Sequence, residues 1–312
     1  MEEFLEKVTR YLKENKINAY AVAEYKNGKI TYKRLQKNNR MNNIYSISKN
    51  FTATAIGMLV YRGKLSLTDR AIGYLGGFAE GKFDEKWKRI TVAHLLTHTW
   101  GQDCGNFFEA ERFASPYKEG EIVLQDEQAS IGKDWLERIL TEKLPLEPGE
   151  RMSYSNASYY LLSRIAENIT GKKLFDWQRE ELFIKMNFHG YAAGCCPKGH
   201  TLGATEMFFC IEDLVKLGVL YLQHGIYNNE RFFSDRWANE ASRPRASANG
   251  LCYGYGFWKT REDFKYYYAS GAHAQLLVID EENERVFAMQ GYDDWDEKKF
   301  FTAIYPAPDK AK

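Results

Sequence analysis

Residues 45–53 read Tyr45-Ser46-Ile47-Ser48-Lys49-Asn50-Phe51-Thr52-Ala53, and an apolar helical series continues through Ala55, Met58 and Leu59 to a stop at Gly63. A short strand-like pair, Ile44-Tyr45, leads into this run. Ser46 and Lys49 stand three apart at the start of the helix, so their side chains share one face of a turn and the amine reaches the hydroxyl. A serine hydroxyl is a poor nucleophile until a base takes its proton, and a desolvated lysine is such a base. The helix N-terminus favours the negative charge that develops during attack. The same S-x-x-K spacing recurs at Ser115–Lys118 and Ser130–Lys133, but Pro116 interrupts the first and Gly132 lies in a polar loop within the second. Only at Ser46 does a strand precede and a long apolar helix follow. Ser46 is the candidate nucleophile and Lys49 its base.

Upstream, apolar residues at Phe4, Leu5, Val8, Tyr11 and Leu12 predict a helix over 2–15. Residues 19–24 and 30–35 flank Asn27-Gly28, a hairpin signal because both residues tolerate positive φ. Downstream, 65–245 reads as mostly helical, with helices over 134–142, 156–170, 174–186 and 211–223 and loops at Pro116, Pro145, Pro148-Gly149 and Pro197. After Gly250 the texture changes to strands over 253–258, 266–269, 275–280 and 286–290, then a closing helix over 298–304. Strands at both ends with helices between them predict an α+β fold: one antiparallel sheet built from both chain ends, flanked by helices and carrying a mostly helical insertion. Residues 1–64 and 246–312 would form the sheet-and-helix part and 65–245 the insertion. The groove between them is where a site is expected.

Composition narrows the partners. In 312 residues, 43 Lys and Arg nearly balance 42 Asp and Glu for a net charge of +1, which gives no support to a nucleic-acid partner. No run of about 18 apolar residues occurs, so no membrane-spanning helix is expected. The acidic, amphipathic start Met1-Glu2-Glu3-Phe4-Leu5-Glu6-Lys7 does not read as a secretory signal, and a cytoplasmic location is the expectation. Cys104, Cys195, Cys196, Cys210 and Cys252 are odd in number and without framework spacing, so they read as core thiols. Vicinal Cys195-Cys196 lacks a second ligand pair that would make it a metal site.

Two further elements bear on chemistry. Tyr154-Ser155-Asn156 follows Pro148-Gly149 and opens a helix. A tyrosine beside a lysine ammonium is expected to have a lowered pKa and to relay protons; an asparagine two residues on can hold the lysine or a substrate carbonyl, or simply cap the helix. Ala269-Ser270-Gly271-Ala272 lies on a predicted strand, where a glycine lets a substrate backbone approach. The Ala272 N–H would join that of Ser46 as an oxyanion hole.

In order and context these elements resemble the serine β-lactamase and penicillin-binding-protein superfamily, nearest its class C, D-peptidase and esterase branch. The resemblance rests on the nucleophile segment quoted above and on Thr91-Val92-Ala93-His94-Leu95-Leu96-Thr97-His98-Thr99-Trp100-Gly101. It rests equally on Pro148-Gly149-Glu150-Arg151-Met152-Ser153-Tyr154-Ser155-Asn156. Gly203-Ala204-Thr205, Asp213-Leu214 and Tyr253-Gly254-Tyr255-Gly256-Phe257-Trp258 extend it over most of the chain. It implies Ser46, Lys49 and Tyr154 as catalytic residues, with Asn156, Ser270, Gly271, Ala272 and His273 around the substrate, and no cofactor or metal. The implied reaction is acyl transfer to water from a small ester or amide. A true class C-type β-lactamase, a D-Ala-D-Ala carboxypeptidase and an acyltransferase are alternatives, and a non-catalytic binding protein is the alternative of another class.

Departures from the pattern shape the expectation. Where relatives that process β-lactams carry Lys or His, two residues before Gly271, this chain has Ala269. Weak β-lactam activity follows, unless His273, Arg243 or Arg245 supplies the missing cation. Related esterases show Gly-x-x-Gly-Gln where this chain has Gly271-Ala272-His273-Ala274-Gln275, and Trp100 replaces a usual Ser. His94 and His98, four apart, lack the Glu of a zinc-binding helix and read as structural. His189, His200 and His224 read as solvated, and Asp103, Glu109 and Glu111 as candidate deacylating bases or plain loop acids.

Overall fold

Asn27 and Gly28 take φ of 52° and 78°, the left-handed pair that closes a tight hairpin between strands Ala19–Lys26 and Lys29–Arg34. This computed structural model describes residues 3–76, 83–103, 135–261 and 264–306, with the backbone of 117–118 and 121–122. The first strand pairs antiparallel with the last, Arg285–Gly291, placing Val22 opposite Met289 and Ala23 opposite Ala288. Both chain ends thus share one eight-stranded sheet. From edge to edge its order is Ala246–Ala248, Leu251–Tyr253, Trp258–Lys259, Tyr266–Gly271, Gln275–Asp280, Arg285–Gly291, Ala19–Lys26 and Lys29–Arg34.

Alternation along the strands divides the core in two. Leu276, Val278, Phe287 and Met289 point toward the terminal helices Phe4–Glu14 and Glu297–Ile304, where they join Val8, Leu12 and Phe300. Leu277, Ile279, Val286 and Ala288 face the other way, into the larger core shared with the helices between the sheet halves. Helix Ile211–Leu222 lies close on this face because Gly218 has no side chain: a Cβ there would come within 2.4 Å of Val286. Overpacking of this kind costs about 1–3 kcal/mol. Helix Ser48–Tyr61 is buried from Ser48 to Leu59, and the polar side chains on it are hydrogen-bonded inside the core: Asn50 donates to Gly256 O at 2.8 Å, and Thr52 and Thr54 donate to Gly203 O and Asn50 O at 2.7 Å.

The predicted α+β arrangement is the one found, with local differences. Ile44-Tyr45 is a turn rather than a strand; the strand here is Met41–Asn43, in a second small sheet with Met207–Cys210 and Tyr191–Ala193. Residues 253–258 divide into two strands because Gly256 turns the chain at φ 90°. The helix over 174–186 widens into a π-turn at Arg179–Phe183, and helix Asp235–Ser242 was not anticipated. No described helix is long and apolar enough to cross a membrane.

Candidate active site

Ser46 owes its position to a strained turn. Ile44 N–H donates to Met207 O at 2.9 Å, Tyr45 N–H donates to Asn43 Oδ1 at 2.8 Å, and Tyr45 sits at φ 46°, a conformation uncommon for a bulky residue. The chain then winds through the 3₁₀ turn Tyr45–Ile47 into helix Ser48–Tyr61. In that first turn the Ser46 N–H has no acceptor within the helix.

Lys49 reaches back along this helix. Its Nζ lies 3.2 Å from Ser46 Oγ, 2.6 Å from Asn156 Oδ1 and 2.8 Å from Ala204 O. All three partners are neutral oxygens, and Lys49 is only 1% exposed. Burial without a compensating carboxylate lowers its pKa to about 7. The ammonium also sits 4.8 Å from the centre of the Tyr154 ring.

Tyr154 is the opposite case. Burial raises its pKa to about 12, against the smaller downward pull of a hydrogen bond with Ser46. The expected lowering beside Lys49 does not occur, because desolvation of the phenolate dominates. Near neutral pH Lys49 is therefore the group poised to accept a proton, and Tyr154 the one that holds its own. Asn156 is not the helix cap either. Ser155 takes that place, accepting the Ala157 N–H at 3.1 Å, and leaves the Asn156 amide free to hold Lys49.

The hinge of this arrangement is His98, which the sequence marks as structural without revealing its partners. Buried at φ 56°, it accepts Ser153 N–H on its carbonyl at 2.8 Å and Ser155 N–H on Nδ1 at 3.2 Å. An accepting Nδ1 puts the ring proton on Nε2, which faces the Tyr253 hydroxyl at 3.2 Å. Burial and nearby Lys49 hold the ring pKa well below the ordinary value, so it stays neutral. Its ring lies 4.4 Å from that of Tyr154, which also stacks on Trp258. With Gly149 N–H on Thr99 O and Leu146 N–H on Gly101 O, the 98–101 segment pins the whole 146–155 loop that carries Tyr154. His94 instead closes a capping box with Thr91.

Gly203 has a related role. A Cβ at this position would lie 2.8 Å from Ser163 Cβ and 3.0 Å from Tyr159 O, so only glycine lets the loop press close enough for Ala204 O to meet Lys49.

The Gly271 strand is open on one side, since its pairing with Trp258–Lys259 is confined to Trp258 opposite Tyr268. Ala269 is buried on the face toward the nucleophile helix. Ser270 faces the other way and donates its hydroxyl to Glu297, so its side chain is removed from the substrate role expected of it. Ala272 is exposed in the turn that follows, beside His273 and Ala274 at φ 59° and 63°. The His273 ring is caught between Tyr45 at 4.9 Å and Tyr292 at 4.3 Å rather than projecting alone.

The other candidates are occupied. Arg243 and Arg245 both pair with Glu240, and Arg245 also lies over Tyr255. Asp103 pairs with Arg151 at 3.0 Å. His200 is not simply solvated; it contacts Glu167 at 2.6 Å. His189 and His224 face Asp213 and Asp235. Cys195, Cys196 and Cys210 are in no disulfide; Cys196 and Cys210 are the buried thiols expected, whereas Cys195 is exposed. Among the described residues no cluster of His, Cys, Asp and Glu is placed to hold a metal. Cys104, Glu109, Glu111, Ser115, Ser130 and Lys133 lie outside the described residues, and Lys118 is described only in its backbone.

Comparison with known proteins identifies a family and a shared fold. The family model described as Beta-lactamase matches residues 4–291. Penicillin-binding protein 4* of Bacillus subtilis (strain 168) is 29% identical over 158 residues, covering 50% of this chain and 31% of that protein. The matched stretch is thus about a third of this curated relative's length. Among solved structures, the fold is shared with an octameric penicillin-binding protein homologue from Pyrococcus abyssi at TM-score 0.72 and 21% identity, over 97% of this chain and 75% of that one. It is shared likewise with a D-stereospecific amidohydrolase from Streptomyces sp. at TM-score 0.72 and 18% identity, over 97% and 99%.

Proposed function

The chain belongs to the Beta-lactamase family of serine hydrolases, and on that premise we propose that Ser46 is its nucleophile, acting through an acyl-enzyme on small esters or amides. One observation carries the reading: a buried lysine with a pKa near 7 lies 3.2 Å from Ser46 Oγ, and a protonated Tyr154 shares a hydrogen bond with the same serine. Neutral Lys49 takes the Ser46 proton as Oγ bonds to the carbonyl carbon. Tyr154 passes a proton to the departing alcohol or amine and is recharged from Lys49. Water then attacks the acyl carbon, and its proton returns along the same pair as Oγ leaves. The N–H groups of Ser46 and Ala272 hold the oxyanion, each donor worth roughly 3 kcal/mol.

Weak activity on β-lactams is part of the proposal. Ala269 supplies no cation for a substrate carboxylate, and Arg243 and Arg245 are engaged by Glu240. An acyltransferase would use the same intermediate with an alcohol or amine replacing water. Product analysis of an ester hydrolysed with and without added alcohol separates the two. Free acid as the main product supports the hydrolase, and transfer exceeding hydrolysis at low alcohol contradicts it.

A further inference from the structure

The turn that carries Ala272 is held by a side chain that the proposed chemistry does not use. Strands Tyr266–Gly271 and Gln275–Asp280 close on the pair Gly271 and Gln275, leaving Ala272, His273 and Ala274 as the connection. His273 and Ala274 stand in succession at φ 59° and 63°. Neither is glycine, and a left-handed pair of this kind persists only where its surroundings enforce it. The His273 ring is fixed between Tyr45 and Tyr292. Ala274 is wholly buried against the end of the next strand, where a Cβ on Gly291 would lie 3.3 Å from its own.

The rest of the restraint comes from Gln275. Its Nε2 donates to Gly291 O at 2.6 Å and to His273 O at 3.1 Å, one acceptor in the neighbouring strand and one inside the turn. Gly291 pairs in turn with Ala19, so the connection is tied to the middle of the sheet. The orientation of the amide follows from its partners, since a flip would set Oε1 against two carbonyl oxygens. That Oε1 is buried without a hydrogen bond among the described residues, on a side chain only 1% exposed. A glutamine that only joined two strands would need the Gly291 bond alone; the second bond reaches back to the turn. Gly271 makes room for it, because a Cβ there would lie 3.1 Å from Gln275 Cβ. Across the site, Tyr45 precedes Ser46 and His273 follows Ala272, and their rings touch at 4.9 Å. A displacement at His273 therefore moves the Ala272 N–H relative to that of Ser46.

We propose that Gln275 is a positioning residue for acyl transfer: by holding the His273 carbonyl it aims the Ala272 N–H at the oxyanion, and so acts on the transition state rather than on substrate binding. This role rests on Ser46 as the nucleophile and Ala272 as an oxyanion donor. Gln275→Met keeps the length of the side chain and removes both donated bonds. Rates are expressed per serine that a fluorophosphonate labels to completion, so unfolded chains do not count. With p-nitrophenyl butyrate, Gln275→Met should lower kcat about tenfold or more and change KM less than about threefold. Inhibition by butylboronic acid, whose tetrahedral adduct on Ser46 puts an oxygen where the Ala272 N–H donates, should weaken by a similar factor. Adding Ala274→Gly to Gln275→Met should recover about threefold or more in kcat, because glycine holds a left-handed φ unaided. If Gln275→Met gives no labelled protein, Gln275→Asn, its amide one methylene short of both carbonyls, carries the same expectations. An unchanged kcat per labelled site, a loss confined to KM, boronate inhibition at the parent level, or no recovery with Ala274→Gly overturns the role and leaves Ser46 in place. A fluorophosphonate adduct that persists in folded Ser46→Ala defeats the nucleophile assignment, and this role with it.

Discussion

A methyl group on Gly271 would lie 2.4 Å from the carbonyl oxygen of Ile44, two residues before Ser46. The strand leading to Ala272 and the turn carrying the nucleophile therefore meet backbone against backbone. The missing Cβ serves that contact before it serves any substrate. Gly271→Ala must push one segment away from the other, since the obstructing atom is main chain. The expected outcome is a loss of about 1–3 kcal/mol in stability and at least a hundredfold fall in kcat, roughly one oxyanion donor's worth. Thermal melts and p-nitrophenyl butyrate turnover check both. Full activity in this variant would show that the contact does not set the geometry.

Lys49 makes the pH dependence specific. If the neutral amine is the base, kcat/KM should rise about tenfold per pH unit below 7 and level off above it. The stability consequence has a definite sign. A lysine whose folded pKa is depressed binds fewer protons folded than unfolded between about 7 and 10.5, so stability rises with pH across that window. Relative to Lys49→Met, the parent should gain up to about 1.4 kcal/mol per pH unit there. Urea unfolding at several pH values measures it, and a flat difference would mean that Lys49 keeps an ordinary pKa.

Tyr154 and Lys49 are expected to act as one unit. Each of Lys49→Ala and Tyr154→Phe should lower kcat roughly a hundredfold or more. The double variant should be little worse than the poorer single one, because removing either breaks the same relay. Fully additive losses would show two independent contributions.

β-Lactam turnover should be poor. A charge-assisted hydrogen bond to the substrate carboxylate is worth roughly 1.5–3 kcal/mol, and Ala269 cannot make it. Productive binding should fall by about 10- to 150-fold at 1.4 kcal/mol per decade. Nitrocefin and p-nitrophenyl butyrate compared on one preparation decide the matter. A kcat/KM for nitrocefin near about 10⁸ M⁻¹s⁻¹ would overturn the preference for esters and amides.

Much of this was legible from local signals. Asn27-Gly28 announced the first hairpin, and the Ser46–Lys49 spacing before an apolar helix singled out one of three matching tetrads. What escaped was set by tertiary contact. Periodicity did not reveal that Ser270 would turn toward Glu297, because strand parity depends on register with the neighbouring strands. The direction of the Tyr154 pKa depended on how much water the folded site excludes, which no spacing records. His98 acts through four partners from residues 153–253, so its place was visible only once those segments were brought together.

The central claim is that Ser46 carries the covalent intermediate. Intact-mass analysis after exposure to a fluorophosphonate tests it directly. The parent should gain a single adduct, Ser115→Ala and Ser130→Ala should gain the same one, and Ser46→Ala should gain none. An adduct that persists in folded Ser46→Ala would place the nucleophile elsewhere and contradict the account.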